Sequence, residues 1–266
     1  MTTEKLSIAW MTTGRGPGSY GALEFIFRAI DGGLPVDISV IFVNRDRGES
    51  DATDKLLDLV EARGIPLETL SSVAFRKARG GKRSKPSKKL PAWRTELDEA
   101  IVAKLEPYDF SLVVLFGYML IATEALYGRF TLLNDHPALP DGPIGTYQQV
   151  IAELIREGAR QSGCLMNIAT GDLDRGPVVS YCGYSIRDSR NQALWPPAQH
   201  LVATGGDQSA IEATDLYADI RALGVVREQP FLAETLRAVA DGKIALPPDA
   251  PADLTDAVEQ ALSSLR

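Results

Sequence analysis

Two apolar runs, Val36–Val43 (VDISVIFV) and Phe110–Phe116 (FSLVVLF), constrain this chain more than any other feature. They are too short for a membrane helix, which needs about 20 apolar residues. Short, largely continuous runs rich in Val, Ile and Phe belong to strands of a parallel sheet that is covered on both faces. Such a sheet requires helices above and below it, so helical patterns should alternate with the runs. Lys5–Met11 (KLSIAWM) reads as a first strand, followed by a Gly-rich loop and a helical pattern with Leu23, Phe27 and Ile30 on one side. After the Val36–Val43 strand, Asp51–Arg63 has helical spacing at Leu56, Leu59 and Val60, and Gly64 is its C-cap. IPLETL is a third short strand. The order β-α-β-α-β predicts an α/β fold with a doubly wound, mostly parallel sheet.

Beyond this core, Trp93–Leu105 returns to helix, Leu120–Leu126 is expected to restart one, and Phe130–Asn134 is a short strand. Ile144–Gly158 contains another helix. The stretches CLMNIAT and PVVSYCGYSI, separated by the turn sequence GDLDRG, predict an antiparallel extension of the sheet. Arg187–Gln208 reads as a long surface loop, within an irregular region 187–214. Ala213–Leu223 and Arg227–Ala240 read as two C-terminal helices, and a short helix is expected to begin near Pro251–Asp253. The expected organisation is one domain over 1–240, then a linker and helix over 241–266.

The net charge of -7 argues against a dedicated nucleic-acid binder, whose affinity comes from neutralising phosphates. It leaves room for a nucleotide-sized substrate held by a few local cations. The two cysteines, Cys164 and Cys182, form no CxxC pair, so no metal is expected and a reducing compartment is the default. The start MTTEKLSIAW lacks the basic and apolar regions of a signal peptide, so a cytoplasmic protein without membrane attachment is expected. Arg76–Lys89 carries eight basic and no acidic residues. Such a segment is either a solvated, mobile loop or an anion-attracting flap.

Three places carry chemistry. Gly14-Arg15-Gly16-Pro17-Gly18-Ser19-Tyr20-Gly21 lies between the first strand and the first helix. Glycines let the backbone approach an anion, and free N–H groups at a helix start point towards it. The same loop also serves as a plain connection. It is not Walker A, because no Gly-Lys-Ser/Thr closes it. The second place is Asn134-Asp135-His136-Pro137. Residues two apart on a strand share a face, so Asn134 and His136 project together and Asp135 points away. An amide beside an imidazole suits acyl chemistry, one stabilising an oxyanion and the other moving a proton. An ordinary polar turn is the competing interpretation. The third is Asp174, in a tight turn between two apolar strands, with Asp172 as its neighbour and competitor.

Taken together, these segments resemble the folate-dependent formyltransferases, most closely those that act on glycinamide ribonucleotide. The matching pieces occur in order: the Gly-rich loop, VVLFGYMLI, LLNDHPALP, and SGCLMNIATGDLDRGPVV with its Leu-Asp-x-Gly-Pro end. They cover about residues 5–186, and RALGVVREQPFLAETL resembles the family's closing helix. The resemblance implies direct formyl transfer from 10-formyltetrahydrofolate to a primary amine of a phosphorylated small molecule, without a metal. It assigns catalysis to Asn134, His136 and Asp174. It places the folate against Met119, Leu120, Ile121 and the Asp174 loop. It gives the acceptor to Gly16, Gly18, Ser19, Tyr20, Arg94 and Glu228. The implied partners are the folate and the amine substrate, and a homodimer is compatible with both.

The departures are specific. Leu120 stands where the family has an arginine, Ala-Leu-Pro after His136-Pro137 is one residue short, and Ser19-Tyr20 replaces Ser-Asn. The alternatives are a different amine acceptor such as an amino-sugar nucleotide, hydrolysis of the formyl donor, or a non-catalytic ligand-binding relative. Deformylases of this type carry a preceding regulatory domain, and a first strand at Lys5 predicts none here. A Rossmann-type reductase is kept open by Asp46 after the second strand.

Overall fold

The computed structural model describes residues 5–82 and 89–264. Its eight strands and their helices divide into two compact units. The first comprises 1–134, 168–177 and 239–243, and the second 135–167, 178–238 and 244–266.

In the first unit, β1 (Leu6–Thr12), β2 (Val36–Val43), β3 (Leu67–Thr69) and β4 (Leu112–Leu115) are joined by parallel pairing in the order β3-β2-β1-β4. β5 (Leu132–His136) pairs parallel to β4 through Leu132–Asn134. The helices here are α1 (Pro17–Asp31), α2 (Asp51–Arg63), α3 (Ser72–Ala78), α4 (Ala92–Leu105) and α5 (Glu124–Tyr127). The apolar strand runs predicted burial on both faces, and both faces are buried. Ala9, Met11, Val40, Phe42, Val113 and Leu115 form one core with α4 residues such as Leu97, Ile101 and Leu105. The alternate residues Ile8, Trp10, Ile41, Val43 and Val114 are also fully buried. The chain reverses direction across the sheet between β1 and β4. In doubly wound sheets, the strand ends at such a reversal are where ligands bind.

The second unit holds α6 (Tyr147–Glu157), β6 (Gln161–Ile168), β7 (Val178–Ser185), β8 (Ala252–Asp253), α7 (Trp195–Ala203), α8 (Gln208–Glu212), α9 (Asp215–Ala240) and α10 (Thr255–Ser264), apart from their boundary residues. β6 and β7 are antiparallel, with Cys164 directly opposite Cys182, and β8 runs parallel to β7.

Five expectations change. Arg187–Gln208 is not a loop: a 3-10 turn over Gln192–Leu194 leads into α7, and α8 follows. Trp195 is fully buried and its indole donates to the Ile186 carbonyl, which anchors the segment. Its prolines sit in the first turn of α7, where no backbone N–H is required. The expected pair of C-terminal helices is one helix, α9, with Pro230 inside it. Contacts span the Gly224 region: Arg221 pairs with Glu228, and Arg227 reaches both the Leu223 carbonyl and Glu259. The helix expected over Leu120–Leu126 shrinks to α5, because tertiary hydrogen bonds take backbone groups of Met119, Ile121 and Thr123. β5 extends to His136 rather than ending at Asn134. The helix expected from Pro251–Asp253 starts later, as Asp253 caps the Thr255 N–H. Of the basic segment Arg76–Lys89, the first three residues end α3 and 83–88 lie outside the described residues.

Candidate active site

β1 ends at Thr12, and the Gly-rich loop leads directly into α1. Gly16 is the N-cap, Pro17 opens the first turn, and no side chain caps the helix. The first N–H groups of α1 therefore have no side-chain acceptor from the cap. At Gly16 and Gly18 an added Cβ would meet nothing within 4 Å, so the space in front of both is open. Arg15 and Gly18 are exposed, and Ser19 and Tyr20 are half-buried.

The segment after β4 is fixed from three sides. The Phe116 N–H donates to Met11, the Thr13 N–H donates to the Gly117 carbonyl, and the Met119 N–H donates to Thr13 Oγ1 at 2.9 Å. Gly117 has φ +65°, and a Cβ there would lie 2.6 Å from Ser19 Oγ. Only glycine allows both that backbone conformation and that approach. Ser19 of the Gly-rich loop is thus brought beside the segment holding Met119, Leu120 and Ile121. Met119 is 69% exposed, more than Ile144, Tyr147, Leu173, Val225 or Val226.

Asn134 and Asp174 are 40 positions apart in sequence, and Asn134 Nδ2 donates to Asp174 Oδ1 at 3.3 Å. The turn Gly171–Gly176 makes this meeting possible. Asp174 sits at φ +54°, a left-handed conformation that aspartate tolerates better than most residues. Gly176 is obligatory: a Cβ there would lie 1.8 Å from the Ile168 carbonyl oxygen. This explains physically why Gly and Asp stand where they do in Leu-Asp-x-Gly-Pro. Asp172, the competing carboxylate, is exposed.

Arg94 differs from its expected role. Its side chain is fully buried, so it is not placed to meet a phosphate from solvent. Instead it donates to the Ile121 carbonyl at 2.8 Å and lies 3.6 Å from Asp98.

In the second unit, His136 is 4% exposed and its Nε2 lies 3.0 Å from the Pro143 carbonyl oxygen. A carbonyl only accepts, so Nε2 carries the hydrogen and the tautomer is set. Glu228 pairs with Arg221, seven residues earlier on α9, and the Arg221 guanidinium lies 4.3 Å from the centre of the Tyr147 ring. The carboxyl of the half-buried Asp135, whose Oδ1 is out of reach of solvent, is pushed well above its ordinary range, first by burial and then by the charge of Glu228, with Arg221 opposing. The shortened loop after Pro137 borders a cavity of about 400 Å³. Asp141, Glu153 and Glu157 line it, an acidic wall unsuited to phosphate or folate carboxylates.

Sequence reasoning missed Thr13, Asp98 and Arg221. Arg94 and Asp98 carried a detectable signal: both fall in the helical stripe shared with Leu97, Ile101 and Leu105. Thr13 carried none, since its partner, Met119, is 106 positions away. Among the described residues, no group of three or more His, Cys, Asp or Glu is arranged to hold a metal ion. No helix among them is long and apolar enough to cross a membrane.

Comparison with solved structures finds the same fold. Glycinamide ribonucleotide transformylase 1 from Symbiobacterium toebii is 20% identical with a TM-score of 0.60, over 90% of this chain and 89% of that one. Phosphoribosylglycinamide formyltransferase from Coxiella burnetii is 20% identical with a TM-score of 0.61, over the same shares. Formyltetrahydrofolate deformylase from Burkholderia mallei is 18% identical with a TM-score of 0.61, over 94% of this chain and 70% of that one. No curated protein matches the chain in sequence. Residues 26–190, more than half of the chain, match the family described as formyl transferase, and the chain belongs to that family.

Proposed function

We propose that this protein transfers the formyl group of 10-formyltetrahydrofolate to the primary amine of a phosphorylated acceptor, with glycinamide ribonucleotide the best candidate. The observation that carries this is the hydrogen bond from Asn134 to Asp174. It sets an amide able to donate to an oxyanion beside a carboxylate able to take a proton, at the end of a parallel strand.

The residues present fit the donor. Met119 and Leu173, 69% and 39% exposed, offer apolar surface to a flat ring, and the Met119–Ile121 and 169–176 backbones offer polar edges. When bound, the donor supplies an activated formyl carbon. With one N–H engaged by Asp174, the Asn134 amide is oriented so that its other N–H stabilises negative charge on the formyl oxygen. Asp174 accepts the proton the attacking amine must lose, directly or through water. His136, with Nε2 held by Pro143, acts through Nδ1 as a proton carrier or, protonated, as a positive partner to the oxyanion. The open backbone at Gly16 and Gly18, with Ser19 and Tyr20, receives the acceptor's phosphate at the start of α1. Glu228 binds the acceptor's polar body while Arg221 orients its carboxylate. Covalent catalysis is unnecessary, because a neutral amine is already nucleophilic and positioning supplies much of the rate.

The test is tetrahydrofolate release from 10-formyltetrahydrofolate, with and without glycinamide ribonucleotide. Acceptor-dependent turnover is expected. Equal turnover without the amine would assign a hydrolase instead, and no turnover in either case would reject the donor. Asp174→Asn should lower kcat by about 10²-fold. A His136→Ala enzyme at full rate would overturn its assignment.

A further inference from the structure

Behind the segment assigned to the donor lies a pair of charges that touches no solvent. Arg94 and Asp98 sit one turn apart on α4, both fully buried, with Nη2 3.6 Å from Oδ1. They satisfy each other poorly. Arg94 Nε and Nη1 and the nearby Tyr118 Oη are all buried and without hydrogen-bond partners among the described residues. Such an arrangement is costly, and an apolar replacement of similar volume is often neutral or stabilising. Stability alone therefore does not account for it.

The bonds the pair does make are to backbone, and both fall within one short stretch. Arg94 Nη2 donates to the Ile121 carbonyl at 2.8 Å, and Asp98 Oδ2 accepts the Thr123 N–H at 2.6 Å. An apolar residue cannot hold a carbonyl and an N–H two residues apart in a stretch without regular secondary structure. With Thr13 Oγ1 on the Met119 N–H, the grip spans Met119 to Thr123. We propose that Asp98, acting with Arg94, is a positioning residue for the formyl-folate donor: together they clamp Ile121 and Thr123 so that the Met119–Ile121 edge presents a fixed surface to the pterin. This rests on the proposed function. It also gives Arg94 a role that does not require contact with any ligand.

The test is a split between kinetic constants. Asp98→Ala should raise the donor KM about tenfold or more, leaving the acceptor KM and kcat within about twofold. Asp98→Asn keeps an oxygen for the Thr123 N–H and should recover most of that loss. If Asp98→Ala does not fold, Asp98→Asn and Arg94→Met carry the test, with Arg94→Met showing the larger donor defect because it has no N–H for the Ile121 carbonyl. Equilibrium binding of tetrahydrofolate to each protein is measured alongside. Wild type that fails to bind overturns the proposed function and the clamp with it. Wild type that binds, with variants binding equally well, overturns the clamp alone. So does a parallel rise in both KM values, or a loss confined to kcat with the melting temperature, which would mark a merely structural pair.

Discussion

At the scale of single residues, Asp135 is the most consequential side chain outside the proposed chemistry. It stands between Asn134 and His136, and the two-residue strand period sends it to the other side, into the second unit's interior. Its Oδ1 is buried without a hydrogen-bond partner among the described residues. Glu228, Arg221 and Cys182 act on it, and burial with the Glu228 charge raises its pKa well above the reference 3.8. Between that reference and the raised value, the folded protein binds more protons at this site than the unfolded chain. Stability contributed here therefore falls as pH rises through the window. Asp135→Asn removes the charge while keeping the shape. The variant should be more stable than wild type near pH 8 by about 1 kcal/mol or more. The gain should shrink towards zero as pH approaches the reference 3.8. Thermal denaturation across this range checks it; a variant less stable than wild type at high pH would show that Arg221 compensates the carboxylate fully.

At the scale of elements, strands were readable because their composition states their environment. Runs such as Val36–Val43 survive only where both faces are covered, and both are covered over Val40–Val43, while Asp37 near the start of the strand is exposed. The turn carrying Asp174 was readable because Gly176 and Asp174 meet local backbone needs. What was not readable is held by partners distant in sequence. The Leu120–Leu126 pattern looks helical, yet Thr13, Arg94 and Asp98 take its backbone groups. Trp195 and its prolines look like a loop until the indole is seen buried against Ile186. Asn134 and Asp174 could be nominated separately, but only folding pairs them. The start of α1 offers a test of function separated from stability. A Cβ at Gly18 meets nothing within 4 Å, and alanine is the better helix former. Gly18→Ala should keep or slightly raise the melting temperature. If the backbone there receives phosphate, the acceptor KM should nevertheless rise by about tenfold, with donor KM unchanged. Unchanged acceptor KM would place the phosphate elsewhere.

At the scale of the whole molecule, an acidic protein is proposed to bind two anionic substrates. The net charge is -7, so at long range the protein repels them. Local cations must reverse this close to the site. Arg15 is exposed in the Gly-rich loop, and its charge reaches Arg45, which Ser72 and the Asn44 carbonyl hold in place. The two effects differ in range. Long-range repulsion is largely screened at about 0.1 M salt, where the Debye length is about 10 Å, while attraction at a few ångströms persists and weakens gradually above that. Between about 0.1 and 0.5 M salt, kcat/KM for a phosphorylated acceptor should therefore fall several-fold. An acceptor without its phosphate should show a much flatter dependence, and Arg15→Gln should flatten the curve for the phosphorylated one. Steady-state rates over a sodium chloride series measure all three. Equal slopes for phosphorylated and dephosphorylated acceptors would mean that the phosphate is not bound by the Arg15 loop, whatever the fate of the Asn134–Asp174 chemistry.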